Sequence, residues 1–528
     1  MMELAELIAE LSRPEAYRFA VDRVAVCQTH ISVVFLAGPF AYKIKKPLNL
    51  GFLDFATLEK RRFYCQEEVR LNRRLAPDVY LDVVPVTKDG DKVRMEGTGP
   101  ALEWAVKMRR LPEEATLLAR LRRDQLDAGQ LHALARHIAG FHARAAAGPE
   151  IAAFGRFDVV AGNARENFTQ TQDHIGITVN QTVHQRLREL TEQALERLRP
   201  LIMARAERGE PRDTHGDLHL DHVYYFPDQP PLGDWVIVDC IEFNERFRYA
   251  DPVADMAFLV MDLSLHGRRD LARSFAAAYF AAAGDGESEQ LLPFYAAYRA
   301  MVRAKVKGMT AAEPEVPEAD RQRAVGKAQA YWLLALTELA EPKRRPGLLL
   351  VGGLPGAGKS TLAHALAERL GWHVIRSDLV RKELARQAGY APQPEAFGTG
   401  IYASEWTTRT YQACLRQAEN RLRDGQRVLI DASFRAEEHR RWFLDAASRL
   451  GVPGLLLLCQ ADPEVIRPRL AQRRDDPSDA DWDIHQQAAA RWEPASPATQ
   501  RHLHIIDTNG DVSTALEQAL RAVEGCLG

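Results

Sequence analysis

Two carboxylates separated by a short apolar run are the residues in the first half of the chain best suited to chemistry. Asp217 lies in "DTHGDLHLDHV", and Asp239 ends "WVIVD". A carboxylate on a fixed loop can orient an attacking hydroxyl or accept its proton, and a second carboxylate can bind a metal ion beside a phosphate. We therefore expect phosphoryl transfer, with Asp217 as the base, His215 bracing its loop, and both carboxylates at the ends of neighbouring short strands.

A strand nearer the amino terminus supplies a lysine. In "FAYKIKK" the side chains of Ala41, Lys43 and Lys45 face one way, because residues two apart share a face of a strand. We predict that Lys43 contacts the α- and β-phosphates of a nucleotide, with Lys45 as the alternative lysine. Glu68, or its neighbour Glu67, on the helix that follows would hold that lysine by an ion pair.

The second half of the chain carries a phosphate-binding loop. The stretch "GLPGAGKST" fits GxxxxGK[ST] and lies between an apolar strand and a helix. Its glycines let backbone N–H groups surround phosphate oxygens, its lysine reaches the terminal phosphates, and its serine hydroxyl suits Mg²⁺. The predicted nucleotide-binding residues are Gly353, Gly356, Gly358, Lys359, Ser360 and Thr361.

Residues on or after the later strands determine which reaction a nucleotide bound at this loop undergoes. Asp431, ending "RVLID", is placed as a carboxylate that acts on Mg²⁺ through water. Asp378, which follows the second strand, is a candidate general base, a helix N-cap, or both. Arg473 would neutralise the transferring phosphoryl group from a mobile lid, unless its segment is only a solvated basic helix face. The arginines of that segment are Arg467, Arg469, Arg473 and Arg474.

The order of the predicted elements divides the chain into two domains. Residues 24–109 contain β-type runs, residues 113–339 are mainly helical, and strand and helix alternate after residue 346. A small β lobe before a larger α lobe is the layout of bilobal kinases, and strands separated by helices imply a parallel sheet. The predicted fold is an α+β bilobal, protein-kinase-like domain followed by an α/β P-loop NTPase domain. The predicted bounds are 1–342 for the first domain, with lobes of about 1–110 and 111–342, and 343–528 for the second.

Composition excludes several other classes of protein. The 528 residues include 69 basic and 72 acidic side chains, and the net charge of -3 gives no reason to expect bulk binding to nucleic acid or membrane. The six cysteines form no CxxC pair, which suits reduced thiols and argues against a zinc site. The amino terminus lacks the pattern of a secretory signal, and no apolar run is long enough to span a bilayer. We therefore expect a cytoplasmic protein without a membrane partner.

The amino-terminal motifs resemble a known superfamily. "HGDLHLDHV", with the strand and aspartate that follow, resembles the aminoglycoside phosphotransferase and choline-kinase-like superfamily over roughly residues 24–340. The superfamily pattern is HGDxxxxN, a strand and an aspartate. The resemblance implies that Asp217 is the catalytic base, Asp239 a metal ligand and Lys43 the phosphate-binding lysine, with ATP and Mg²⁺ as cofactors.

The second half resembles a different group of kinases. "GLPGAGKST", "IRSDLVRKEL", "LIDASF" and the arginine-rich segment are similar to AAA-type P-loop kinases of the polynucleotide-kinase, gluconate-kinase and zeta-toxin type, over residues 346–528. Those families phosphorylate hydroxyl groups on small molecules or on nucleic-acid ends. The resemblance implies that this domain, too, uses ATP and Mg²⁺.

His222 departs from the superfamily pattern, because it stands where an asparagine would bind the metal. It remains a candidate metal ligand by position, although Mg²⁺ prefers oxygen and imidazole nitrogen replaces it poorly. Three interpretations are open. One metal ion suffices, or Asp221 supplies the missing oxygen, or this domain binds nucleotide with little transfer.

The motifs together predict a tandem phosphotransferase that moves the γ-phosphate of ATP to a hydroxyl group. The acceptor is a small molecule, or an RNA or nucleotide at the P-loop domain, and no oligomeric state is predicted. In one alternative, only the P-loop domain is catalytic and the first domain recruits the substrate as a pseudokinase. In another, the chain is a regulatory, nucleic-acid-associated ATPase without a phosphoacceptor.

Overall fold

A computed structural model describes residues 3–51, 53–90, 92–227, 229, 231–390, 400–472 and 481–527. The chain forms two compact units, and each consists of several segments. The first comprises Met1–Ala161, Leu198–Asp262 and Arg269–Leu292, and the second comprises Gly162–Arg197, Leu263–Arg268 and Pro293–Gly528. Among the described residues, no helix combines the length and the apolar character needed to cross a membrane.

The first unit contains an antiparallel sheet of six strands in the order β1-β2-β3-β6-β4-β5. Two small antiparallel pairs, β7 with β10 and β8 with β9, lie later in the chain. The strands are β1 (Val24–Gln28), β2 (Ser32–Ala37), β3 (Phe40–Lys45), β4 (Tyr80–Asp89), β5 (Lys92–Met95), β6 (Ala101–Arg109), β7 (Arg212–Asp213), β8 (Val223–Tyr225), β9 (Trp235–Ile237) and β10 (Tyr249–Ala250).

Helices make up most of the chain between β6 and the P-loop, as the sequence predicts. Side chains fix several of their starts: Asp127 and Gln130 form a reciprocal capping box, which satisfies N–H groups that the first helical turn leaves free. The helices are α1 (Leu4–Leu11), α2 (Leu58–Asn72), α3 (Leu117–Arg122), α4 (Ala128–Arg144), α5 (Pro149–Ala153), α6 (Phe157–Thr169), α7 (Gln181–Glu207), α8 (Glu245–Arg248), α9 (Pro252–Leu265), α10 (Arg269–Ala283), α11 (Leu292–Ala312) and α12 (Glu318–Leu339).

The second unit contains a parallel sheet of five strands in the order β12-β13-β11-β14-β15. Its central strand is buried throughout, as expected for a parallel strand covered by helices on both faces. The strands are β11 (Gly347–Gly353), β12 (His373–Arg376), β13 (Arg427–Asp431), β14 (Gly454–Gln460) and β15 (Leu503–Asp507). The helices are α13 (Lys359–Leu370), α14 (Ser377–Gln387), α15 (Ser404–Arg423), α16 (Glu437–Arg449), α17 (Pro463–Ala471), α18 (Trp482–Ala490), α19 (Pro497–Gln500) and α20 (Val512–Leu527).

Candidate active sites

Lys43 on β3 forms ion pairs with two other residues of the first candidate site, Glu68 and Asp239. Its Nζ lies 2.9 Å from Oε1 of Glu68 on α2, and it donates a hydrogen bond of 2.6 Å to Oδ1 of Asp239. Burial alone would lower the pKa of Lys43, but the carboxylates of Asp239 and Glu68 outweigh it and raise that pKa. The Lys43–Glu68 ion pair expected from the sequence is therefore present, and Asp239 holds the same lysine.

Lys45, the alternative to Lys43, forms buried ion pairs of its own. Its Nζ lies 2.7 Å from Oε2 of Glu68 and also contacts Glu242, and its side chain is 1% exposed. Burial raises the pKa of Glu242. Sequence reasoning missed Glu242, although it lies in the same loop as Asp239. Glu67, the alternative to Glu68, forms an exposed ion pair with Arg70 instead.

The loop that carries Asp217 is anchored by Asp255, near the start of α9. The carboxylate of Asp255 accepts hydrogen bonds from the backbone N–H groups of His215, at 3.0 Å, and Gly216, at 2.8 Å. His215 Nε2 donates to the carbonyl oxygen of Val238 at 3.0 Å, so it ties this loop to the one that holds Asp239. Burial lowers the pKa of His215 to about 4, which keeps this ring neutral near pH 7.

Neither carboxylate ends a strand, and this corrects the sequence-based expectation. β7 ends at Asp213, so Asp217 lies in the loop between β7 and β8. β9 ends at Ile237, and Asp239 adopts a left-handed backbone conformation with φ of 65°. Burial alone would raise the pKa of Asp239, but the ammonium of Lys43 outweighs burial and holds that pKa below its usual range.

Two histidines, His219 and His222, lie close to the carboxylates of Asp217 and Asp239. His219 Nε2 lies 3.2 Å from Oδ2 of Asp217, and His222 Nε2 lies 3.6 Å from Oδ2 of Asp239. Asp217, His219 and His222 each place a potential ligand atom within 4.8 Å of the others. His219 was not predicted, although its place two residues after Asp217 was a visible signal. Asp221, the alternative source of an oxygen ligand, is exposed and outside this group.

The second candidate site is built around the phosphate-binding loop between β11 and α13. Gly356 and Gly358 have φ values of 81° and 79°, which favour glycine over other residues. A Cβ atom at Gly356 would lie 2.7 Å from Cγ2 of Ile466, so the loop also needs glycine there for space. Lys359 begins α13 and is buried, and Ser360 and Thr361 follow in the first turn. The predicted strand–loop–helix context is present.

The two carboxylates of the second site lie at and just after the ends of the neighbouring strands β13 and β12. Asp431 is the last residue of β13, is buried, and lies 3.3 Å from Nε of Arg376. Asp378 is the second residue of α14, whose N-cap is Arg376, so the N-cap alternative for Asp378 is wrong. Burial raises the pKa of Asp378, against the opposing charges of Lys359 and Arg381. A carboxylate with a raised pKa suits a general base.

One arginine of the predicted lid lies beside the phosphate loop. A cavity of 340 Å³ is lined by Gly358, Lys359, Ser360, Arg469 and Thr508, among others. The Thr508 hydroxyl donates to the carbonyl oxygen of Ala357 at 2.8 Å, so the segment after β15 supports the loop. Arg467, by contrast, stacks on Trp482 at 4.6 Å. Arg473 and Arg474 lie outside the described residues.

The two halves match two different family models. Residues 64–298 match the phosphotransferase enzyme family, and residues 348–495 match the AAA domain family. These matches confirm the two-domain fold, kinase-like first and P-loop second, that the sequence predicts. They also agree with the order in which the two candidate sites occur along the chain.

Mycobacterial proteins match the chain over most of its length. The uncharacterized proteins Rv2004c and MT2060 of Mycobacterium tuberculosis (strains ATCC 25618 / H37Rv and CDC 1551 / Oshkosh) are each 32% identical over 499 residues, which is 94% of this chain and 94% of theirs. The uncharacterized protein Mb2027c of Mycobacterium bovis gives the same values. The shared length includes both domains.

Solved structures of kinases resemble part of the chain. A gluconokinase from Sinorhizobium meliloti 1021 has 18% identity and a TM-score of 0.25, covering 34% of this chain and 93% of that one. An unliganded sugar kinase from Janibacter sp. HTCC2649 has 18% identity and a TM-score of 0.27, covering 34% and 94%.

Proposed function

We propose that this chain, which belongs to the same family as the mycobacterial proteins and joins a phosphotransferase domain to a P-loop kinase-like domain, is an ATP-dependent tandem phosphotransferase. Each domain would transfer the γ-phosphate of ATP to a hydroxyl group of a small-molecule acceptor, or of a nucleic-acid acceptor at the P-loop domain. The observation that carries the proposal is the linked set of ion pairs from Glu68 through Lys43 to Asp239, beside the braced loop of Asp217.

In the first domain, the residues have separable roles. Lys43 would neutralise the α- and β-phosphates, and Glu68 holds it in place from α2. Asp217 would orient the acceptor hydroxyl and take its proton, while Asp255 keeps the loop rigid through two backbone N–H groups. Catalysis by such a site depends on positioning and charge stabilisation rather than on a covalent intermediate.

In the second domain, the backbone of the phosphate loop would bind the nucleotide and Lys359 would reach its terminal phosphates. Ser360 and Asp431 offer the oxygen donors that Mg²⁺ prefers, so the residues fit this ion, which supplies charge neutralisation when bound. Asp378, with its raised pKa, would accept the proton of the acceptor hydroxyl. Arg469, which lines the cavity, would stabilise phosphate charge.

The proposal is tested by incubating the purified chain with γ-labelled ATP and pools of metabolites or RNA. The wild type is compared with Asp217→Ala and Lys359→Ala, and with Asp158→Ala and Lys327→Ala as exposed controls of the same residue types. We expect each site variant to lose a different subset of labelled products and the controls to lose none. Label that appears only as free phosphate, across all acceptors, would contradict transfer and favour a regulatory ATPase.

The same assay tests the pseudokinase alternative, in which only the P-loop domain transfers phosphate. The two imidazoles near Asp217 favour that alternative, because the usual magnesium site of such a kinase has oxygen donors. Loss of every product in Lys359→Ala, with none lost in Asp217→Ala, would support it. Loss of distinct products in the two variants would exclude it.

A further inference from the structure

Three arginines of the second unit line a cavity that neither candidate active site uses, and we call it the arginine cavity. Arg186 comes from α7, Arg344 from the segment that precedes β11, and Arg427 is the first residue of β13. The cavity has a volume of 340 Å³, and the side chains of His373 and Gln426 also line it. These residues come from separate stretches of the sequence, so only the fold brings the three guanidinium groups together.

The arginine cavity lies at the end of the parallel sheet opposite the phosphate loop. His373 and Arg427 begin β12 and β13, whereas Asp431, the carboxylate that we assign to Mg²⁺, ends β13. β13 has five residues. Its two ends are therefore separated by about 13 Å, at roughly 3.3 Å per residue. Among the described residues, the arginine cavity and the cavity at the phosphate loop share no lining residue. A ligand at one would not displace a ligand at the other.

None of the three guanidinium groups forms an ion pair with a carboxylate in the part of the chain that the structure describes. Instead, Arg186 donates a hydrogen bond of 2.6 Å to the backbone carbonyl oxygen of Arg344. Arg427 donates to the carbonyl oxygen of Leu370. A neutral carbonyl group orients a guanidinium group without cancelling its charge. The arginine cavity is therefore positively charged.

Like charges act on two of these arginines. Burial lowers the pKa of Arg186, and the charge of Arg344 lowers it further. Burial also lowers the pKa of Arg427, and here Arg186 is the added charge. Both side chains remain charged, since arginine is not deprotonated in proteins. Asp424, an acidic residue close in sequence, accepts a hydrogen bond of 2.7 Å from Asn180. The repulsion costs stability unless an anion binds among the arginines.

Guanidinium groups favour phosphate among anions. Their planar N–H donors match two oxygens of a phosphate group, and several arginines together neutralise its charge. The Arg344 side chain donates to no other group among the described residues, so its N–H groups can bind a ligand. The volume of 340 Å³ lies at the small end of the range for ligand sites. A nucleic acid needs a contact surface of roughly 600 Å² or more, so the cavity suits a small ligand better.

We propose that the arginine cavity binds the phosphate group of a small molecule. The ligand is either inorganic phosphate or a phosphorylated metabolite, because both present the same group to Arg186, Arg344 and Arg427. Gln426 and His373, which are exposed beside the arginines, offer polar contacts to the rest of a metabolite. Binding at this cavity does not require either domain to transfer phosphate. The proposal is thus independent of the proposed function.

The test is thermal unfolding of the full-length chain in rising concentrations of inorganic phosphate, with NaCl keeping the ionic strength constant. A ligand that binds the folded chain raises its Tm by mass action. Every measurement is made in the Lys359→Ala background, because the phosphate loop also binds phosphate. The variants added to this background are Arg344→Gln, Arg427→Gln and their combination. Arg188→Gln is the matched control, since Arg188 is an exposed arginine of α7 that does not line the cavity.

We expect phosphate to raise the Tm of the background and of the Arg188→Gln control equally. Arg344→Gln should weaken the apparent phosphate affinity by about tenfold, as when one hydrogen bond to a charged group is lost. Arg344→Gln should not lower the Tm measured without phosphate, because Arg344 repels Arg186 and its side chain holds no other group. Loss of the phosphate response in this variant is therefore not a loss of fold.

Glycerol 3-phosphate and a short RNA are the second and third probes. Tighter binding of glycerol 3-phosphate than of phosphate would identify a phosphorylated metabolite as the ligand, and equal binding would identify inorganic phosphate. Either result supports the site if Arg344→Gln weakens it. An unchanged phosphate response in the folded double variant would overturn the proposal. So would an equal rise in Tm from NaCl alone, or stabilisation by the RNA without stabilisation by phosphate.

Discussion

The two candidate sites of this chain hold their phosphate-binding groups in different ways. The second site is assembled largely from one stretch of backbone, in which Gly356 and Gly358 turn the loop and Lys359 follows at once. The first site is assembled from side chains far apart in sequence: Lys43 and Asp239 are separated by 196 residues, and Lys45 and Glu242 by 197. A local site survives changes elsewhere more easily, whereas the first site depends on the packing of the whole unit.

The largest expected effect is on the local site. Lys359→Ala removes the only charged side chain of the phosphate loop while leaving its glycines in place. We expect the P-loop-dependent transfer rate to fall by about a hundredfold to a thousandfold, as when one preorganised group that stabilises transition-state charge is lost. Rates measured for each labelled product test this. Equal loss of the products that depend on Asp217 would show that the sites are not independent.

The next-largest expected effect is a difference in stability between variants of the two lysines of β3, Lys43 and Lys45. Lys45→Met leaves Glu68 and Glu242 buried without their shared ammonium, and removing one partner of a buried ion pair costs about 3 to 5 kcal/mol. Lys43→Met should cost less stability, because Glu68 keeps Lys45 and the Asp239 side chain is 44% exposed. Urea unfolding measures both. A greater loss of stability in Lys43→Met would reverse the roles that we assign to these lysines.

A smaller effect concerns the pH dependence of the P-loop site. Because burial raises the pKa of Asp378, the ionised base is lost at a higher pH than for an ordinary aspartate, whose pKa is about 3.9. Transfer at this site should therefore decline on acidification earlier than an unperturbed carboxylate would allow. Rates between pH 8 and pH 4 are compared for the wild type and for Asp483→Asn, an exposed control. An acid limb at the ordinary aspartate pKa would rule out Asp378 as the base.

The same pKa shift predicts a change in stability of definite sign. The folded chain binds the proton of Asp378 more tightly than the unfolded chain, so ionised Asp378 costs stability at neutral pH, and this cost disappears as the pH falls through the raised pKa. Asp378→Asn should thus raise the free energy of unfolding at pH 7 and lose that advantage in acid. Denaturant unfolding at pH 7 and at an acidic pH measures the difference in free energy of unfolding between Asp378→Asn and the wild type. A difference that does not change with pH would contradict the raised pKa of Asp378.

The smallest effect is expected at Asp221. Its side chain is exposed and lies outside the group formed by Asp217 and the two histidines. Asp221→Asn should leave the transfer that requires Asp217 within about twofold of the wild-type rate, because exposed substitutions away from such groups change free energies by about 0.5 kcal/mol or less. A loss of that transfer in Asp221→Asn that excess Mg²⁺ restores would identify Asp221 as the missing oxygen ligand.

The contrast between the sites also explains what could be predicted from the sequence. The parallel sheet, its strands and the phosphate loop follow from short apolar runs and a contiguous motif, and the family matches confirm this fold. Lys43, Glu68 and Asp239 could be proposed because strand periodicity and motif order point to them. Glu242 and His219 were missed, because their places near Asp239 and Asp217 in the sequence do not show that one side chain contacts Lys45 and that the other lies beside Asp217. Backbone details such as the left-handed Asp239 depend on packing that a linear pattern does not contain.

The most direct test of two independent sites is a single-turnover transfer experiment in the presence of Mg²⁺. The wild type, Asp217→Asn and Lys359→Ala are each mixed with γ-labelled ATP and the acceptor pools. We predict that Lys359→Ala retains products whose formation requires Asp217, while Asp217→Asn retains products whose formation requires Lys359. Abolition of all transfer by Lys359→Ala, with an unchanged product set in Asp217→Asn, would contradict the account.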